Sequence, residues 1–271
     1  MKTKKYKILV LSDLTNSTET TLKSAISFAK ILDAEIDFFY VKKPTEIIDR
    51  ENQLSAMRTI GVTHVATNKK IQKIINAISK TYNAKINSTF SFGNVRAEIS
   101  NYILESKPDI LVLGKRKSNP IKFNGDGIIE LVLKQFKGPI LIASDKNALM
   151  PNKDISLGAY SNIDESFNVD FAQDLINQSK SPLKVFRIAK SSENVAHALN
   201  QPETKIIEYV FDHNDNVLNN LSKYLVKNNI NLFCLNRVNN DFKSKSKGIR
   251  DLIDKLNVSL LVCNNQKVLL N

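Results

Sequence analysis

Only two cysteines and three histidines occur in this 271-residue chain, and their placement argues against metal chemistry. His64, His197 and His213 keep no ligand spacing with one another or with a cysteine, so no metal site is expected. Cys234 and Cys263 each lie inside an apolar run, LFCL and LLVCN, and are expected as buried free thiols in strands rather than as a disulfide or redox pair. No apolar run is long enough for a transmembrane span. The basic start MKTKKYKILVL runs straight into an alternating strand, where a secretory signal would need an apolar stretch ending in small residues. A cytoplasmic protein without membrane contact is therefore expected. Also absent are a Walker-type Gly-Lys-Ser run, a zinc knuckle, a recognition-helix pattern and an aromatic-rich RNA-binding strand. The formal net charge of +12 is thus read as a solvated lysine surface and not as a nucleic-acid footprint. Residues 1–150 carry 24 basic against 14 acidic side chains, and residues 151–271 carry 15 against 13, so the excess lies in the first half.

What the chain does contain, it contains twice. GIIELVLK at Gly127 is answered by GIRDLIDK at Gly248, each leading into an apolar strand, PILIAS and SLLVCN. KILVLSD at Lys7 is answered by DISLGAY at Asp154, and EIDFFYVKK at Glu35 by PLKVFRIAK at Pro182, at one constant offset. Duplication of a whole domain leaves such a record, and two domains are expected, 1–150 and 151–271, with Pro151 and Asn152 marking the boundary.

The first half alternates strand and helix. A strand at Lys7–Ser12 precedes a helix with Leu22, Ala25, Ile26, Ala29 and Leu32 at spacings of three and four. A strand at Ile36–Val41 follows, then a signal-poor segment from Pro44 to His64 and a helix near Thr67–Ser79. Next come a strand at Lys85–Phe92, a helix carrying Ile99, Ile103 and Leu104, the doubly buried run Asp109–Leu113, a basic loop, a helix from Gly127 and a strand at Pro139–Ala143. The second half repeats the plan with a shortened middle. Five alternations in the first half and the same plan, shortened, in the second predict an α/β fold of two doubly wound, open, parallel five-stranded sheets.

Ligands of such sheets bind beyond the carboxyl ends of the strands. That edge receives Asp13 after the first strand, Val41 and Lys42 at the end of the second, and Gly114 at the end of the fourth. Glycine there lets backbone N–H groups approach a phosphate, and Gly127 opens a helix whose dipole favours the same anion. Lys115, Arg116 and Lys117 lie between. Each feature has a plain structural reading too: a turn, a helix cap, a solvated basic loop, and for Asp13 the capping of the next helix.

The order ILVLSD, amphipathic helix, strand to Val41, strand to Gly93, DILVLG, loop, GIIELVLK and PILIAS resembles the universal stress protein family, in a tandem form covering essentially the whole chain. The resemblance implies that Asp13 and Val41 frame an adenine. It also implies that a loop motif of Gly, two residues, Gly, nine residues, Gly and Ser or Thr holds ribose and phosphates. Gly114 and Gly127 match its outer glycines; Lys117 replaces the middle glycine and Ile128 the terminal hydroxyl. The resemblance thus makes Asp13, Val41, Gly114, Arg116, Lys117, Gly127 and Ile128 the candidate site for ATP or AMP. In the second half Tyr160 replaces Asp13 and Asn236 replaces Gly114, a degenerate copy. The family geometry further implies that Pro139–Ala143 and Ser259–Cys263 pair in an internal pseudo-dimer, with homodimer formation beyond it.

The leading expectation is a non-catalytic stress-response or signalling module with one adenine-nucleotide site in the first copy. The alternative is a nucleotide-free scaffold whose basic first half meets acidic partners. A slow adenine-nucleotide hydrolase ranks third: Asp126 reads better as a cap, and Glu130 as a solvent-facing residue that complements the helix dipole.

Overall fold

The computed structural model describes residues 5–43, 53–115, 127–160, 169–179, 181–189, 206–212, 216–237 and 248–264. Contacts divide the chain into two compact units, Met1–Lys137 and Gly138–Asn271.

The first unit is built on β1 (Tyr6–Ser12), whose Ile8, Leu9 and Val10 are wholly buried. A strand apolar on both faces must be covered on both faces, and it lies between two parallel neighbours. These are β2 (Ala34–Lys42) and β4 (Ile110–Gly114). Outside β2 lies β3 (Ile86–Phe92), giving the order β3-β2-β1-β4. Helix α1 (Thr18–Leu32) buries Leu22, Ala25, Ile26, Phe28, Ala29 and Leu32. It stops at Asp33, which adopts a left-handed φ of 51° and returns its N–H to the Ala29 carbonyl. Helix α3 (Val95–Ser106) starts at Asn94, whose side chain accepts from the N–H groups of Arg96 and Ala97. Tyr102 of α3 stacks on Phe39 of β2 at 4.0 Å. Helix α4 (Gly127–Gln135) buries Ile129, Leu131 and Val132.

Helix α2 spans Gln53–Tyr82, and so begins well before the helix expected near Thr67–Ser79. The buried anchors Thr67, Ile71, Ile75 and Ile78 sit in its second half, where the periodicity is legible. Residues 58–66 include Gly61 and are largely exposed, so this stretch propagates from the packed turns rather than announcing itself by pattern.

The second unit contains β5 (Ile140–Ala143), β6 (Leu157–Tyr160), β7 (Leu183–Ala189), β8 (Ile206–Asp212), β9 (Leu232–Asn236) and β10 (Ser259–Cys263). Their order is β5-β10-β9-β6-β7-β8. All neighbours are parallel except β5 and β10, which pair antiparallel through Leu141 opposite Leu261. The expected pairing of these two strands is therefore present, and the strand that ends the first sequence copy lies in the second compact unit. Helices α5 (Ala172–Gln178), α6 (Val217–Lys227) and α7 (Gly248–Lys255) complete it. From the outer edge inward, β8-β7-β6-β9 repeats the order β3-β2-β1-β4.

Cys234 and Cys263 are free and wholly buried. Burial pushes the Cys234 thiol well above its ordinary range and that of Cys263 to about 12. Two outcomes follow from the packing. In the native protein neither thiol should react with iodoacetamide at pH 8, while both should react in denaturant; labelling of the native chain, read by mass, would refute this burial. The folded chain also keeps the Cys263 proton from the ordinary 9.0 up to about 12, whereas the unfolded chain loses it. Native protein binds more protons in that window, so urea stability should decline as pH rises through it. Separately, a Cβ at Gly158 would stand 2.8 Å from Phe233 and 3.2 Å from both Ile230 and Phe186. Gly158→Ala should lower urea stability by about 1–3 kcal/mol through overpacking.

Candidate functional site

Parallel pairing decides what meets at the strand ends. Ser12 lies opposite Tyr40 and Leu11 opposite Leu113. One further residue along each register sets Asp13 level with Val41 and Ser12 level with Gly114. Three of the predicted residues thus converge at the carboxyl edge of three adjacent strands.

Asp13 does not cap α1; Ser17 stands at that position, and it makes no side-chain cap hydrogen bond. Instead the Asp13 carboxylate accepts from the Thr15 N–H at 3.1 Å and the Thr15 hydroxyl at 2.6 Å. Between them Leu14 takes a left-handed φ of 55°, a conformation costing about 1 kcal/mol or more in a non-glycine residue. Three contacts hold it there. The Leu14 side chain is buried, its N–H donates to Ser12 Oγ at 3.2 Å, and its carbonyl accepts from Lys70 Nζ at 3.2 Å.

Hydroxyls crowd this turn. Thr15 and Ser17 lie 3.1 Å apart, Ser12 and Thr18 2.9 Å, and Thr20 and Thr21 both donate to the Ser17 carbonyl at 2.8 Å. This packing explains Gly114 directly. A Cβ there would fall 2.6 Å from Thr21 Oγ1 and 3.4 Å from Ser17 Oγ, so glycine lets the first turn of α1 approach the end of β4.

Val41 is buried. Its neighbour Ser91 donates to Glu98 Oε2 at 2.5 Å. The Glu98 carboxylate folds over Gly93, where a Cβ would meet Oε1 at 2.6 Å. Gly127, at the start of α4, has the Arg96 guanidinium against it; a Cβ would lie 2.6 Å from Nη1. Two positive features, a helix N-terminus and an arginine head, therefore face each other. Ile128 is half-buried and offers no hydroxyl, and Glu130 is exposed. Arg116, Lys117 and Asp126 lie outside the described residues. Sequence reasoning missed Arg96, Glu98 and the Thr15–Ser17–Thr21 cluster. The signal for Arg96 was its place in the first turn of a helix that starts just beyond the third strand.

In the second unit the corresponding strand ends carry buried side chains. Tyr160, at the end of β6, is wholly buried with its ring 6.5 Å from that of Phe233. Phe186 packs against Tyr209, Phe211, Tyr224 and Phe233 at centroid distances of 5.4 to 6.3 Å. Asn236 is buried at the end of β9.

A family model described as the universal stress protein family matches residues 6–143. A universal stress protein from Archaeoglobus fulgidus DSM 4304 is similar in structure, with a TM-score of 0.65 and 12% identity over 95% of this chain and 98% of that chain. A functionally unknown protein from Pseudomonas aeruginosa PAO1 gives 0.59 and 12% identity, over 96% of this chain and 92% of its own. No curated protein matches the sequence. The likeness to these structures is one of fold, an α/β architecture with a mostly parallel sheet.

The fit of Gly114 against α1 can be measured. Gly114→Ala should destabilise the protein by about 1–3 kcal/mol, and Thr21→Ala, which removes the opposing hydroxyl, should return part of that loss when the two are combined. Strictly additive effects in urea denaturation would show that the two sites are not in contact.

Proposed function

Because the chain belongs to the universal stress protein family, we propose that it is a tandem member acting as a non-catalytic stress-response module, with one adenine-nucleotide site in the first unit. The observation that carries this reading is the convergence of Asp13, Val41 and Gly114 at adjacent parallel strand ends, with Gly127 opening the helix that follows β4. In this reading Asp13 and Val41 frame the adenine of ATP or AMP. Gly114, Arg116, Lys117, Gly127 and Ile128 surround ribose and phosphate, and Arg96 adds a charge where Ile128 has removed a hydroxyl. Binding without turnover suits the carboxylates here, since Asp13 is engaged by Thr15 and Glu98 by Ser91.

The second unit is read as a degenerate copy. Its repeated strand order and the antiparallel pairing of β5 with β10 support an internal pseudo-dimer of two five-stranded halves. Tyr160, wholly buried, puts a phenol ring at the position where the first copy has Asp13 and where this reading places the adenine. The competing reading is a nucleotide-free scaffold in both copies, favoured by the replacement of a motif hydroxyl with Ile128 and of a motif glycine with Lys117.

Calorimetric titration of the nucleotide-stripped protein with Mg-ATP and with AMP separates the two. Saturable binding at micromolar ligand, lost in both Asp13→Ala and Gly127→Val, is the expected result. No heat and no thermal stabilisation at millimolar ligand would leave the scaffold. Among the described residues a Cβ at 127 meets the flexible Arg96 head, so that variant should melt close to the parent.

A further inference from the structure

Helix α2 is the longest helix among the described residues, and its thirty residues include no aspartate or glutamate. It carries Arg58, Lys69, Lys70, Lys73 and Lys80. At 3.6 residues per turn, Arg58, Val62, Ala66, Lys69, Lys73, Asn76 and Lys80 fall along one line. The buried residues Thr67, Ile71, Ile75 and Ile78 fall along the opposite one. All seven residues of the outer line are exposed, Val62 at 71%, and Val65 beside it is exposed at 54%. The line runs about 33 Å, at 1.5 Å per residue.

Helices that meet only solvent intersperse charges of both signs, because opposite charges one turn apart stabilise the helix and like charges repel. Here Lys69 and Lys73 are one turn apart with no acid to separate them. Among the described residues Arg58, Lys69, Lys73 and Lys80 make no ion pair. Lys80, in the last turn, complements the helix dipole. Lys70 has an internal role, donating to the Leu14 carbonyl. Lys69 and Lys73 have neither reason, and the exposed Val62 and Val65 add an apolar end to the same line.

From this surface we infer that the outer face of α2 is a docking site for an acidic, amphipathic segment of a partner protein. Carboxylates of that segment face Lys69, Lys73 and Lys80, and an apolar anchor lies on Val62, Val65 and Ala66. Charge complementarity sets the sign of the partner. The valines choose among anions: phosphates of a nucleic acid would have no use for them, and a bilayer surface is held by larger apolar groups than valine. The inference is independent of nucleotide binding.

The test uses the full chain and a fluorescein-labelled synthetic peptide of Leu-Glu-Glu-Leu repeats, read by anisotropy. Parallel arms use polyglutamate, a DNA duplex and phosphatidylserine vesicles. The peptide should bind saturably. Lys69→Glu combined with Lys73→Glu should weaken it at least about tenfold and flatten its salt dependence. Val62→Asp combined with Val65→Asp should weaken it several-fold. All four side chains are exposed, so the variants should keep the parental melting temperature, and a second measurement, nucleotide titration, should be unaffected. The inference is overturned if the lysine variants bind the peptide as the parent does, or if polyglutamate binds as tightly as the amphipathic peptide. It is equally overturned if the duplex or the vesicles bind more tightly than the peptide in a Lys69- and Lys73-dependent way.

Discussion

The register of three parallel strands is the constraint on which the first unit depends. With β1 covered on both sides by parallel neighbours, its only polar residues fall at its ends, and each neighbour ends where β1 ends. At the entry end this produces a small polar network: Lys7 Nζ meets Asp37 at 3.1 Å, Asn87 donates to the same carboxylate at 3.1 Å, and the Lys7 N–H donates to Asp109 at 2.7 Å. At the exit end it produces an edge whose residues are placed by strand pairing and not by their own side chains. Glycine at 114 follows from that geometry, since α1 must cross the end of β4 within reach of Thr21 and Ser17.

The second unit meets the same constraint with different residues. Where the first copy ends its central strand on an aspartate held in a turn, the second ends on a tyrosine with no exposed surface. Gly158 lies beneath Phe186 and Phe233, and the rings of Phe186, Tyr209, Phe211 and Tyr224 pack into one aromatic cluster. A polar exit edge has thus become core. Each wholly buried aromatic ring contributes several times what a surface polar group does, so the change favours stability over binding.

Much of the fold was legible because buried parallel strands and short amphipathic helices leave strong periodicities. β1, β4, β9 and β10 are runs no other element would need. The first half of α2 was not legible, because residues 58–66 are largely exposed and burial does not set their spacing. At the site, the pairs Asp13–Val41 and Ser12–Gly114 were readable from strand ends alone. Arg96, Glu98 and the Thr15–Ser17–Thr21 cluster were not, because their meaning comes from which helix crosses which strand. No single segment encodes that.

The two faces of α2 bring these threads together. It reaches the turn that carries Asp13 through Lys70 on the Leu14 carbonyl, and it meets β3 through His64, whose ring is tilted 4.6 Å from that of Phe90. Its outer face carries cations that make no ion pair among the described residues. Leu14 is the strained point between them, a buried side chain on a left-handed backbone held in place partly by that one lysine. Lys70 is thus one physical contact between this helix, anchored along Ile71, Ile75 and Ile78, and the turn in which Thr15 holds Asp13. Physical continuity of this kind is what coupling between two surfaces requires before any question of its size arises.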